Sequence, residues 1–182
     1  IVNAVAARFV FPAISLEGRQ MWLLRSSPLD PKVLLWSKYS MGTIPLLALA
    51  IIITVLTSWL LQVSTFMLAV SLGTIVLYTL AVSALAVSFG VFYPQFGTEN
   101  AAQIPTSYGG AVYTMASLAL LAAVVMLEAA PVAGGLRAWR IGMAGAASTE
   151  LILSAAAVAL ICVGATIIPL RLSGRRLERM EW

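Results

Sequence analysis

Long apolar runs dominate the chain, and four of them are long enough to cross a membrane. They cover about residues 41–61, 66–92, 111–130 and 149–170. A membrane-spanning helix needs about 20 mostly apolar residues, so each run predicts one span. From Tyr39 to Thr98 there is no Asp, Glu, Lys or Arg, although a water-facing surface needs charged residues. The pattern therefore predicts an all-α, polytopic membrane helix bundle, a single transmembrane domain over residues 1–182.

A fifth apolar run lies at the start of the sequence. Residues 1–14 are apolar except for Asn3 and Arg8, and they are too short to span a membrane alone. We interpret them as the end of a truncated span, and we expect that an N-terminal portion of the protein precedes the sequence.

Residues 15–40 form a charged segment with two Trp residues before the first complete span. Ser15 is a suitable N-cap for a short helix, which Pro28 would end. Asp30 and Pro31 then start a second helix, as its N-cap and its first helical residue. We predict a pair of amphipathic helices, the second of which continues into the first span.

Two connections between later spans are rich in Gly and Pro. The segment Pro94–Gly110 is polar and predicts a loop, in which Glu99 is the only charged residue. The segment Pro131–Ser148 contains a Gly-Gly pair, Arg137 and Arg140, and we expect a connection with a short interfacial helix.

Four spans place residues 15–40, the Pro94–Gly110 loop and a basic tail, residues 171–182, on one side of the membrane. The Lys and Arg residues of that side are Arg19, Arg25, Lys32, Lys38, Arg171, Arg175, Arg176 and Arg179. The other side carries Arg137 and Arg140. Because positive residues mark the cytoplasmic side, we expect the helix pair and the C-terminus to face the cytoplasm.

Composition agrees with a membrane protein and excludes several other classes. The chain is 61% hydrophobic and 10% charged, against about 45–50% and about 25% in soluble domains. Its net charge of +4 comes from basic residues beside apolar runs, so membrane lipids rather than nucleic acid are the predicted partner. The chain has no His and one Cys, and we predict no metal, no cofactor and no catalytic residue. It also lacks a Gly-rich phosphate loop followed by Lys, so we predict that it does not hydrolyse nucleotide itself.

The charged segment allows two compatible interpretations. It can anchor the chain at the membrane surface, with Trp22 and Trp36 among the lipid headgroups. It can also dock a soluble cytoplasmic partner, with Glu17, Arg19 and Arg25 as polar contacts. Composition alone does not choose between them.

Acidic residues near the spans suggest no transport chemistry. Glu128 and Glu150 flank the connection with the two Arg, and we interpret them as solvated or ion-paired at span ends. No acidic residue lies in the middle of a predicted span, which disfavours an ion-coupled carrier.

Two motifs on the predicted cytoplasmic face stand out. The first is Ser15-Leu16-Glu17-Gly18-Arg19, followed by Trp22, Leu24, Pro28-Leu29 and Leu34-Leu35-Trp36-Ser37-Lys38. The second is Tyr93-Pro94-Gln95-Phe96, followed by Glu99-Asn100 and Gly109-Gly110. In this order they resemble motifs of the bacterial ABC transporter permeases of the exporter type.

The resemblance implies a permease subunit in the bacterial inner membrane, which works with a separate ABC ATPase subunit and a second permease half or copy. In such permeases a cytoplasmic helix docks on the ATPase as a coupling helix, and residues 15–40 would be that region. Its candidate docking residues are Glu17, Gly18, Arg19, Trp22, Arg25, Pro28 and Lys38. The second motif contributes Tyr93, Pro94, Phe96, Glu99, Asn100, Gly109 and Gly110. The alternative functions are a non-catalytic subunit of a respiratory or photosynthetic complex and, less favoured, an ion-coupled carrier.

Overall fold

Helices account for nearly all of the described chain in the computed structural model. The structure describes residues 1–13, 15, 31–63, 65–94, 103–141 and 147–179. It contains a short helix α1 (Val2–Val5) and four long helices. The long helices are α2 (Pro31–Leu60), α3 (Thr65–Phe92), α4 (Tyr108–Ile141) and α5 (Ala147–Arg179). No strand occurs among these residues.

The four long helices confirm the predicted four-span, all-helical fold. The parts long and apolar enough to cross a membrane are Leu35–Leu60, Met67–Phe92, Tyr108–Ala129 and Leu153–Arg176. Helix α2 begins at Pro31 and runs without interruption into the first span. A proline fits this position because its fixed φ suits the first helical turn and its missing N–H is not needed there. The first helix of the predicted pair falls on residues 16–30, outside the described residues.

Both predicted connections are shorter than expected. A 3-10 turn, Ile104–Thr106, leads into α4, which begins at Tyr108, so Gly109 and Gly110 are helical rather than part of a loop. The N–H of Gly110 donates a 3.4 Å hydrogen bond to the side chain of Ser107, whose extended backbone makes it the N-cap.

At its other end α4 continues past Pro131 to Ile141, where we had expected a connection. A proline removes one backbone hydrogen bond, which membrane helices tolerate. The next residues, 142–146, lie outside the described part of the chain.

Helix α3 is the centre of the bundle. It packs against α2, α4, α5 and the N-terminal residues, and 67% of its span is buried, against 11–28% for the other three spans. Its residues 81–88, Ala-Val-Ser-Ala-Leu-Ala-Val-Ser, are all buried. Small side chains allow neighbouring helices to approach closely in a membrane, where packing rather than hydrophobicity drives association.

A polar side-chain contact links α3 to each of its neighbours. These contacts are Tyr78 to Asn3 (2.6 Å), Ser83 to Thr43 (2.9 Å), Ser88 to Ser173 (3.4 Å) and Thr74 to Glu128. Hydrogen bonds between membrane helices contribute about 0.6 kcal/mol each, and they also specify which residues face each other.

The N-terminal segment, Val2–Ala13, packs mainly against α2 and α3. It consists of α1, a π-helical turn at Ala6–Val10 and a 3-10 turn at Phe11–Ala13. The Asn3 side chain accepts a hydrogen bond from Tyr78, near the middle of the α3 span. Phe11 stacks on Tyr113 near the start of α4. The segment therefore runs in the same direction as α3 and finishes near the end of α3.

Candidate functional site

One end of the bundle contains the described residues of both predicted motifs, and we call it the Tyr93 end. Helices α3 and α5 finish there, because Arg176 lies over the ring of Phe92, 5.4 Å from its centroid. Helix α4 starts there, because Tyr93 contacts Tyr108 with ring centroids 5.7 Å apart. Helix α2 also starts there, since it runs antiparallel to α3. The Tyr93 end is the end that we predicted to face the cytoplasm.

Six aromatic side chains form a continuous cluster at the Tyr93 end. The aromatic cluster consists of Phe11, Phe89, Phe92, Tyr93, Tyr108 and Tyr113. Phe11 is stacked on Tyr113, with centroids 5.7 Å apart and planes at 19°. Tyr113 meets the edge of Phe89, and Phe89 is stacked on Tyr93 with planes at 5°. Phe11 and Tyr113 are almost fully buried, so the cluster fixes the end of the N-terminal segment to both α3 and α4.

The two glycines of the second motif allow close packing beneath this cluster. A Cβ atom added at Gly109 would stand 2.5 Å from the Cβ atom of Tyr93. A Cβ atom added at Gly110 would stand 2.6 Å from the carbonyl carbon of Pro105. A residue without a side chain is therefore needed at each position for the first turn of α4 to reach its neighbours.

Basic and amphipathic side chains surround the Tyr93 end. Arg171, Arg175 and Arg176 are exposed on the last turns of α5. On α2, Trp36 is 62% exposed and contacts Tyr39 edge-on, with centroids 5.7 Å apart. Arginine and tryptophan at the end of a span are typical of the boundary between lipid and water.

The structure describes few of the predicted docking residues, and their role in docking stays a prediction. Those outside the described residues are Glu17, Gly18, Arg19, Trp22, Arg25, Pro28, Phe96, Glu99 and Asn100. Lys38 is half-buried on α2, and Pro94 is half-buried after the end of α3. Tyr93 and Gly109 are in direct contact, whereas Gly110 packs on the backbone of Pro105.

Sequence reasoning missed the contribution of Phe11 and Tyr113 to this site. The available signal was an aromatic residue, Phe11, at the end of an apolar run, a position where aromatic residues often mark the membrane boundary. The signal identifies the boundary but not the partner ring, which lies on a distant helix.

A second polar group lies toward the opposite end. Glu128 accepts a hydrogen bond from Thr74, and Cys162 on α5 is fully buried. Glu128 lies one residue before the end of the Tyr108–Ala129 span, although α4 itself continues to Ile141. Among the described residues, no group of three or more His, Cys, Asp or Glu could hold a metal ion.

Comparison with models of known protein families gives a match to the whole sequence. A family model described as "Putative ATP-binding cassette" matches residues 1–182. No curated protein and no solved structure matches the chain.

Proposed function

The chain belongs to the family described as "Putative ATP-binding cassette", and we propose that it is the transmembrane permease subunit of an ATP-driven exporter. The observation that carries the proposal is its membrane character: four helices are long and apolar enough to cross a membrane. Neither of its two Lys residues follows a Gly, as a phosphate-binding loop requires. ATP hydrolysis then belongs to a separate ATPase subunit.

In this proposal residues 15–40 are the coupling region, which the ATPase moves. The region is continuous with the N-terminal segment on one side and with α2 on the other. The N-terminal segment is tied to α4 through Phe11 and Tyr113. The start of α2 is tied to α3 through Thr43 and Ser83, and through the Tyr39 hydroxyl, which donates to the Leu80 carbonyl. Movement of the coupling region would therefore reach the bundle at two places.

The proposal also includes the location and the assembly. Exposed Arg residues at the Tyr93 end favour a cytoplasmic position for that end, in the inner membrane of a bacterium. An exporter of this type would contain a second permease half or copy beside this chain. Anionic lipid headgroups would contact the basic residues at the end of α5.

Co-purification tests the proposal directly. The full-length protein is extracted with a mild detergent, and the proteins bound to it are identified. An ATPase with a nucleotide-binding loop, whose activity rises when the complex is reconstituted into liposomes, supports an exporter permease. Redox subunits in place of the ATPase overturn it in favour of a respiratory or photosynthetic complex. A chain without residues 15–30, the part of the coupling region that precedes α2, is the control for specific stimulation.

A further inference from the structure

The N-terminal segment has one buried face and one exposed face. Its buried face includes Ala6, Ala7 and Val10, which pack on the bundle. Its exposed face carries Arg8 next to Phe9, which is 73% exposed. Among the residues that the structure describes, Arg8 has no hydrogen-bond, ion-pair or ring partner.

Contacts of the segment place Arg8 at the middle of the membrane. The side chain of Val10 lies against Gly42, and the next residue of α2, Thr43, bonds to Ser83. Arg8 precedes Val10 by two residues and so lies near the level of Ala81. That level is ~16 Å from Phe92 at 1.5 Å per residue, and the hydrocarbon half-thickness is about 15 Å. The bond from Tyr78 to Asn3 gives a similar depth, because Arg8 follows Asn3 by five residues and so lies near the level of Ser83, ~13 Å from Phe92.

An exposed arginine at this depth is not a residue that faces lipid. Charged residues within membrane spans almost always face the protein interior or a water-filled cavity, and they mark the paths of substrates. The distance to the headgroups at the Tyr93 end is several helical turns, longer than one extended arginine side chain, so snorkelling does not bring the guanidinium to the surface.

The backbone at Arg8 is a second, independent observation. Residues Ala6–Val10 form a π-helical turn, a rare structure that is frequent at functional sites. The turn changes the direction of the exposed side chains relative to a continuous α-helix. Within this segment, the unusual backbone and the unpaired charge therefore coincide.

We propose that the exposed face of the N-terminal segment lines a water-filled path, in which Arg8 binds an anionic oxygen group of the transported molecule. A guanidinium presents several N–H donors in a plane that matches a phosphate or a carboxylate, and a low-dielectric surrounding strengthens the contact. The inference rests on the proposed function as a permease and adds a chemical class of cargo: a molecule that carries a phosphate or a carboxylate.

Cysteine accessibility in the full-length protein, reconstituted with its partners in liposomes, tests the path. Ala4 and Ile44 are each replaced by Cys in separate variants, and each variant is exposed to a membrane-impermeant maleimide. Ala4 is exposed on the Arg8 side of the segment, whereas Ile44 is 68% exposed on α2, at about the depth of Arg8. Cys162 is fully buried, so the unmodified chain gives the background.

Thiols react as thiolates, which form in water and not in lipid. We expect Ala4→Cys to react at least tenfold faster than Ile44→Cys. Equal, slow reaction of both variants would overturn the inference, because the face would then be covered by lipid or protein. ATPase stimulation in the same liposomes separates the two proposals: stimulation with an unreactive Ala4→Cys refutes the path and leaves the permease function intact.

Protection of Ala4→Cys tests the anion. Its reaction is measured in phosphatidylcholine liposomes, in liposomes with added phosphatidylglycerol, and with added inorganic phosphate. Slowing of at least threefold by phosphatidylglycerol indicates a lipid-borne phosphate, and slowing by inorganic phosphate indicates a soluble anion. In either case Arg8→Gln should remove the protection and Arg8→Lys should retain part of it. No protection by either probe, or protection that survives Arg8→Gln, would refute anion binding by Arg8.

Discussion

Replacing Gly110 by Ala tests the close contact beneath the aromatic cluster. The new Cβ atom would stand 2.6 Å from the carbonyl carbon of Pro105, whereas ordinary contacts begin at 3.4 Å. The carbonyl oxygen of Pro105 would be closer still, so the turn must move by more than ~0.8 Å; the atoms that the Cβ meets are backbone, and no side-chain rotation relieves the contact. The turn includes Ile104, which is fully buried, so its movement also disturbs the packing beneath it.

The expected loss of stability follows from two effects. Overpacking of a well-packed site costs about 1–3 kcal/mol. Movement of the turn also weakens the hydrogen bond from the Gly110 N–H to the N-cap Ser107, and loss of a cap costs about 1 kcal/mol. We therefore expect Gly110→Ala to lower the free energy of unfolding by about 2–3 kcal/mol.

The assay is reversible unfolding of the purified protein in mixed detergent micelles, followed by circular dichroism. Gly73→Ala is the matched control, because Gly73 lies inside α3 with no atom within 4 Å of the added Cβ. Alanine favours a helix over glycine by about 1 kcal/mol, so this control should be as stable as the wild type or slightly more stable. Equal unfolding free energies for Gly110→Ala and Gly73→Ala would refute the steric argument.

Three further experiments test other parts of the molecule. Phe11→Ala removes the ring that joins the N-terminal segment to the aromatic cluster, and we expect it to lower the free energy of unfolding by about 2 kcal/mol. This is less than the roughly 3–5 kcal/mol that the same change costs in the core of a soluble protein, because lipid also solvates apolar side chains. The double charge reversal Glu17→Lys and Arg19→Glu should abolish ATPase stimulation while membrane insertion, measured by carbonate extraction, stays intact; unchanged stimulation would contradict docking through these residues. Thr43→Val should lower the free energy of unfolding by about 0.6 kcal/mol, because it removes the hydrogen bond to Ser83. If the two hydroxyls act as a pair, the double variant Thr43→Val, Ser83→Ala should have nearly the same free energy of unfolding as Thr43→Val alone.

The existence of the spans could be predicted because the bilayer sets their length. An apolar run of about 20 residues has few alternatives to a membrane helix. The start of α2 at Pro31 was also predictable, since proline is favoured at the first helical position. These are local properties of the chain, which a single sequence contains.

The faces along which the helices pack could not be predicted in the same way. A span that is apolar on all sides has no periodic pattern to show which side meets another helix. Phe11 and Tyr113 are distant in sequence, and their contact depends on how α4 is placed beside the N-terminal segment. Gly109 and Gly110 read as loop residues because glycine favours turns, whereas their observed role is to allow neighbouring atoms close to a helix.

The hydroxyl groups of the central helix bear on how the protein is assembled in the membrane. The Thr79 hydroxyl donates to the Ile75 carbonyl and the Ser83 hydroxyl to the Leu80 carbonyl, both within α3. These groups therefore have acceptors on their own helix before any neighbour is present. Helix α3 can leave the insertion machinery and remain in lipid as an independent span, with these two hydroxyls satisfied, until α4 and α5 are synthesised. The helix that is most enclosed in the finished bundle thus satisfies two of its hydroxyl groups with its own backbone, whereas Thr74, Tyr78 and Ser88 gain their partners only when the bundle forms.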